Sequence, residues 1–329
     1  MKKLDLWAFG ALALLLFGIG LAAQQPSGRI TADRRTPSEP VNFNAIALLR
    51  WYPANRATAF GVGNNPIGVA FDGANIWVAN EATNDVTKLR ANDGKVLGTF
   101  GVGVGPFWLA FDGANIWVVN HDDNTVTKLR ASDGKTLGTF STGAFPVGVA
   151  FDGANVWVAN FGDGTVIKLR ASDGKTLGTF SVGNGPEGVA FDGDNVWVGN
   201  SSDNTVSKLE ASDGKLRGTF AVGNRPVGVA FDGTAIWIAN YDSNDVTKLR
   251  ASDGTLQGTF SVGAMPYGLA FDGDNIWVAN FASNSVTKLR TEDGHVAGNV
   301  AVGTNPLGVA FDGASIWVAN GGAASVSKL

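Results

Sequence analysis

The sequence contains no cysteine, which removes disulfides, zinc–thiolate sites and thiol catalysis together. Charged residues fill only 16% of its 329 positions, and its 44% apolar content is ample for a large core, so a disordered polyelectrolyte is excluded. Histidine occurs only twice, which leaves few candidates for an acid/base set or a metal centre. No block of Lys or Arg stands out and the formal net charge is −4, so nucleic acid is not an expected partner. Beyond residue 23 no apolar run is long enough to cross a bilayer. Glycine is abundant by contrast, with 45 residues, and Trp (10) and Phe (20) supply the bulk of a core.

Lys2 and Lys3 precede an apolar stretch from Leu6 to Ala23, and the small residues Gly20, Ala22 and Ala23 form a signal-peptidase pattern before Gln24. Export to the periplasm, the cell surface or the medium is the expectation, with an uncleaved membrane anchor as the alternative. There is no cysteine at the junction to carry a lipid. Removing residues 1–23 leaves 23 Lys and Arg against 28 Asp and Glu, a charge of −5. Residues 24–42, with Pro26, Pro37 and Pro40, have no periodicity and read as a flexible linker.

From Gly61 the sequence reproduces itself every 40 residues without a gap, with units starting at 61, 101, 141, 181, 221, 261 and 301. Each unit offers four short strands: Gly68 to Phe71, Ile76 to Ala79, Val86 to Arg90 and Val96 to Phe100 in the first. Asp72-Gly73 and Asp93-Gly94 supply the hairpin turns. Helical repeats of this period need about ten residues free of Gly and β-branched runs, which no unit has. The expectation is an all-β chain: residues 43–329 form a seven-bladed β-propeller of four-stranded antiparallel blades. Gly68 and Ala70 suit a crowded first strand beside the channel, and the seven Trp at 77, 117, 157, 197, 237, 277 and 317 read as core. The seventh unit reaches Leu329 after its third strand, so an N-terminal strand, Arg56 to Phe60, is expected to close it against Val326 to Leu329. Ile46 to Arg50 competes for that third-strand place, and the C-terminal segment is preferred.

The pattern Ile76-Trp77-Val78-Ala79-Asn80, then Val86-Thr87-Lys88-Leu89, then Gly98-Thr99-Phe100 and Val102-Gly103 resembles the forty-residue YVTN-type repeat of exported, YncE-like bacterial propellers. The resemblance covers about 270 residues and implies a seven-bladed, often periplasmic or surface-exposed propeller. Streptogramin B lyase-like and NHL-type propellers are more distantly similar. In the lyases a His follows the Pro of Pro-x-Gly and a Glu ends the second strand. Here those slots hold Ile67, Phe107, Val147, Glu187, Val227, Tyr267 and Leu307, then Asn80 and its counterparts, so the resemblance carries no lyase chemistry. Quinoprotein-type repeats share the flavour of Asp133-Gly134-Lys135-Thr136-Leu137, but their following Trp is Gly138 here, and no cofactor is expected.

The Asp-Gly turns hardly change between units, whereas the turns on the opposite side vary in size, charge and aromaticity. The variable turns emerge on one rim and predict a ligand-binding funnel lined by Phe107, Trp108, His121, Phe145, Phe161, Glu187, Arg225, Tyr241, Tyr267 and Phe281. Trp108 stands where the other six units have Gly. His121 beside Asp122 and Asp123 reads as a solvated turn in which Asp123 caps the backbone rather than a metal or acid/base cluster, because adjacent residues rarely converge on one ion. No catalytic set and no metal site is assigned. A monomeric binding or scaffold propeller is expected, with a small molecule, glycan or protein as partner; a propeller enzyme and a structural surface-layer component are the alternatives.

Overall fold

A computed structural model of the chain describes residues 57–329. The expected export segment 1–23, the linker 24–42, the competing strand Ile46 to Arg50 and Arg56 lie outside the described residues. Among the described residues no helix is long and apolar enough to cross a membrane.

The first strand, β1 (Thr58–Gly61), stands apart from its sequence neighbours. The first blade is β2 (Pro66–Phe71), β3 (Asn75–Asn80), β4 (Asp85–Arg90) and β5 (Val96–Gly101), paired in that order and antiparallel throughout. Five further four-stranded blades repeat this plan, and the seventh is completed by β1, with Thr58 opposite Lys328 and Gly61 opposite Ser325. The C-terminal segment therefore takes the third-strand place. The inner strands form a ring in which Pro306–Phe311 packs back against β2. Regular helix is confined to two three-residue 3₁₀ turns among the described residues, Glu81–Thr83 and Gly321–Ala323.

Each Asp-Gly hairpin is held by its carboxylate. Asp72 accepts the backbone N–H groups of Ala74 and Asn75 at 2.9 and 2.7 Å and the Trp77 indole N–H at 2.7 Å, while Gly73 takes the left-handed conformation at φ 95°. Burial alone would raise the Asp72 carboxyl, but the Trp77, Asn75 and Ala74 donors outweigh it and hold it below the ordinary range. The carboxylate is thus saturated by the fold.

The same Trp joins adjacent blades. Trp77 has no exposed surface and packs in one cluster with Leu109, Ile116 and Leu129 of the second blade. Phe100 lies 5.5 Å from its ring, and Lys88 stands 4.9 Å above it while donating to the Ala131 carbonyl of the next blade at 2.6 Å. This set recurs, with Lys328 and Phe60 completing it between the seventh and first blades. The sixth blade departs from it. Val300 replaces the Phe, Trp277 is only partly buried, and Lys288 lies 3.8 Å from Asp272 rather than on a neighbouring carbonyl. The reason is topological: β1 supplies the seventh blade's fourth strand, so that blade has no third-to-fourth hairpin to offer those groups. The expectation that all seven Trp are core therefore holds for six of them in full.

Candidate functional site at the channel mouth

The loops after the second strand and those before the first strand meet on one side of the ring. Backbone bonds tie them together, as in His121 N–H to Gly105 O at 2.8 Å and Tyr241 N–H to Arg225 O at 2.9 Å. Asp123, Asp163 and Asp203 each cap the adjoining turn by accepting the N–H of Val104, Ala144 and Asn184. His121 Nδ1 lies 2.8 Å from Asp122 Oδ1, and no group of three or more metal-ligating side chains occurs among the described residues.

Glycine lines the channel because the inner strands crowd one another: a Cβ at Gly148 would stand 1.9 Å from the Glu187 carbonyl of the next blade. Beyond that glycine slot the first strand carries an irregularity, with Pro66 opposite Asn80 but Val69 opposite Val78, so one extra residue breaks the in/out alternation. The slots of Phe107, Glu187 and Tyr267 fall within this bulge, and so does Trp108.

The predicted lining residues gather into two groups. His121 sits between Phe107 and Phe145, with ring centroids 5.8 and 5.3 Å away. Across the channel, Tyr267 stacks on Trp108 at 6.2 Å and meets Tyr241 edge-on at 6.0 Å, Tyr241 touches Phe281 at 6.3 Å, and the Arg225 guanidinium lies 4.5 Å over the Tyr241 ring. Phe161 joins neither group; it is 39% exposed and its ring edge lies beside Gly185.

Two of the predicted lining residues lie deeper than the turns. Trp108 is a half-buried channel residue: it lies against Gly68 and walls a cavity of about 90 Å³ with Val149, Val189, Val229 and Leu269. Glu187 is 6% exposed. Burial pushes its carboxyl above the ordinary range, and the Ser201 hydroxyl and the Arg225 charge reverse this only in part. Burial, then the Glu187 charge, raises the Tyr267 phenol far above its usual value, so it is neutral. Among the described residues no cation lies within 4.0 Å of Glu187.

Sequence reading also missed Met265. Before each first strand one residue adopts positive φ, filled by Asn65, Gly105, Gly185 and Asn305 in four blades but by Phe145, Arg225 and Met265 in the other three. Gly or Asn is comfortable there, whereas larger side chains pay a steric cost of about 1–2 kcal/mol. Phe145 is 49% and Met265 38% exposed, so packing recovers little of it. The equal spacing of these slots in the 40-residue repeat was the available signal.

Charge is divided between the two faces. Residues 57–329 hold 18 Lys and Arg and 26 Asp and Glu. Glu81, Asp85, Asp122, Asp123, Asp163, Glu187, Asp203, Asp242 and Asp245 stand on the mouth side, where Arg225 is the one Lys or Arg among the described residues. The remaining seventeen of each sign balance along the other strands and the Asp-Gly rim.

The family described as PQQ_2, outer membrane protein assembly factor BamB, matches residues 162–315. No curated protein sequence matches the chain. Among solved structures, a streptogramin B lyase is 18% identical, covering 83% of this chain and 96% of its own, with a TM-score of 0.72. A catalytically inactive virginiamycin B lyase from Staphylococcus aureus with quinupristin is 17% identical, with coverage of 83% and 98% and a TM-score of 0.73. Kuenenia stuttgartiensis hydrazine synthase is 18% identical, with coverage of 80% and 95% and a TM-score of 0.71. At these identities the likeness is one of fold: a seven-bladed propeller similar to the streptogramin B lyases, built from repeats similar to those of BamB.

Proposed function

We propose that the chain is an exported, non-catalytic binding or scaffold propeller that takes its ligand at the channel mouth, in the manner of the YVTN-type exported propellers its repeat resembles. The observation that carries this reading is the set Phe145, Arg225 and Met265. Large exposed side chains sit in a left-handed slot where the same repeat elsewhere uses Gly or Asn. Unconstrained drift would shed that cost, whereas recruitment of side chains to a ligand offsets it. Aromatic surface from several blades supplies apolar contact, and Arg225, His121 and Glu187 supply orientation. The positions at which the lyases carry their His and Glu hold other residues here, and His121 has only Asp122 beside it.

The test is a thermal-shift screen of the mature protein with metals, glycans and peptides, followed by Trp108→Gly on any hit. This substitution installs the residue of the other six blades and is expected to leave the melting temperature nearly unchanged while weakening binding. If it unfolds the protein, Trp108 is a packing residue; if neither stability nor binding changes, the variation of the mouth is drift. Intact mass of the exported protein checks the cut before Gln24.

A further inference from the structure

Six of the seven inter-blade seams are closed by the same two contacts. The Phe ring of each, from Phe60 to Phe260, lies against a turn glycine of the next blade, from Gly94 to Gly294, where a Cβ would overlap the ring. Three residues before that glycine, a carbonyl such as that of Ala91 or Ala131 accepts the preceding blade's lysine at 2.6–2.7 Å. The seam between the sixth and seventh blades has neither contact. Val300 stands in the Phe slot, Trp277 is only partly buried, and the 32% exposed Lys288 side chain reaches no backbone carbonyl among the described residues. A Cβ at Gly258, in the fifth blade, would meet the Phe260 ring, whereas at Gly298, in the sixth, it would meet nothing within 4 Å. The seam therefore lacks a carbonyl for Lys288 Nζ and a residue that fits against Val300.

The register of β1 identifies an occupant. Thr58 pairs with Lys328 and Phe60 with Val326, just as Gly98 pairs with Lys88 and Phe100 with Val86, so β1 keeps the fourth-strand register one period early. The chain enters the ring from the Asp-Gly rim, and residues 51–55 are the register counterparts of the turn 91–95. Trp51 falls in the slot of Ala91, whose carbonyl accepts Lys328, and Ala54 falls in the slot of Gly94, against which Phe60 lies. The sizes are reciprocal: the one seam whose Phe has shrunk to Val is the one whose turn Gly has gained a Cβ. The six turn glycines have φ of 70–76°, and Ala324 shows alanine accepted in the left-handed region of this chain. Reach is no obstacle, since only residues 55–57 separate Ala54 from Thr58 and each extended residue covers about 3.3 Å.

We propose that the open seam is the docking site for residues 51–55, which serve as the missing turn of the seventh blade, with the Trp51 carbonyl accepting Lys288 and Ala54 seated against Val300. The segment that leads into the closing strand thus also joins the seventh blade to the sixth. A Val on Ala buries less apolar surface than a Phe ring on glycine, so this seam remains the weakest of the seven even when occupied.

The experiment is a double-mutant cycle on the full chain, read by thermal melting. Val300→Phe alone should lower the melting temperature by about 2–6 °C, because its ring meets the Ala54 Cβ. Adding Ala54→Gly to it should restore the melting temperature to the wild-type value or above, because the pair recreates the Phe-on-Gly contact of the other six seams. If residues 51–55 lie elsewhere, Val300→Phe covers Trp277 unobstructed and raises the melting temperature, and the two substitutions are additive. A second measurement stands even where Val300→Phe does not fold. The chain has no cysteine, so Ala54→Cys combined with Val300→Cys should close an intramolecular disulfide on air oxidation, seen by intact mass as the loss of two hydrogens. Ala54→Cys combined with Phe260→Cys, at another seam, should stay reduced. Additivity in the cycle together with free thiols in the first cysteine pair would overturn the proposal. A disulfide-linked dimer would assign the seam to a second copy of the chain and overturn the intramolecular docking.

Discussion

Trp157 is fully buried, yet its indole N–H still donates to Asp152 at 2.8 Å, and its ring face carries Lys168 at 5.0 Å. Lys168 in turn donates to the Ala211 carbonyl of the next blade at 2.6 Å. Trp157→Ala should therefore cost roughly 3–5 kcal/mol in chemical denaturation, the range for emptying an aromatic core site. Trp277→Ala should cost less, since Trp277 lacks the Phe lid and is already partly exposed. Equal losses at the two sites would show that the lid and the lysine clamp contribute nothing. Glu187 works the other way. Its carboxyl is raised above its unfolded value near 4.5, so its contribution is favourable below that pH and is lost as pH rises through the folded value. Glu187→Val should raise the melting temperature at pH 7 and raise it less at pH 4. A pH-independent change, or destabilisation at pH 7, would mean that the carboxylate is satisfied in the native state.

The strands were legible in the sequence because two kinds of punctuation coincide with the 40-residue period: Asp-Gly on one rim and Asn before the variable turn on the other. Their bounds lengthen by one or two residues in the structure, as in Pro66–Phe71 for an expected Gly68 to Phe71. The placement of Trp108 and Glu187 was not legible, because the bulge between Pro66 and Val69 breaks the period-2 alternation from which side-chain direction is read. Nor could the sequence show that Glu187 is buried to 6% exposure, since the turns that cover it are distant from it in the chain. β1 was legible only by register: its Phe60 repeats the Phe100 position one period earlier, and in the structure it covers Trp317 at 5.5 Å. Deleting residues 24–61 removes this strand and leaves Ser325–Lys328 as a bare edge, so the melting temperature should fall sharply. Deleting residues 24–42 alone should change it little. An unchanged melting temperature after the longer deletion would refute closure by β1.

At the scale of the ring, the seven inter-blade seams are not equivalent. Five successive seams repeat the set of buried Trp, Phe lid and lysine bonded to the next blade's carbonyl, and β1 with Lys328 rebuilds it between the seventh and first blades. Between the sixth and seventh blades the lid is Val300, the lysine reaches no carbonyl, and Leu329 packs there as partial cover. Stability in a repeat architecture is carried by unit interfaces, so the weakest seam sets the free energy of sub-global opening. Amide exchange in the inner two strands of the seventh blade, Pro306–Phe311 and Ile316–Asn320, should therefore be faster than in those of the third, Pro146–Phe151 and Asn155–Asn160, whose ladder has the same register. The difference should persist when β1 is intact, because β1 secures the far side of the seventh blade and not the side facing the sixth. Protection that is uniform around the ring, or lowest at the seam between the seventh and first blades, would place the weak point at the strand exchange itself and not at the missing lid and clamp.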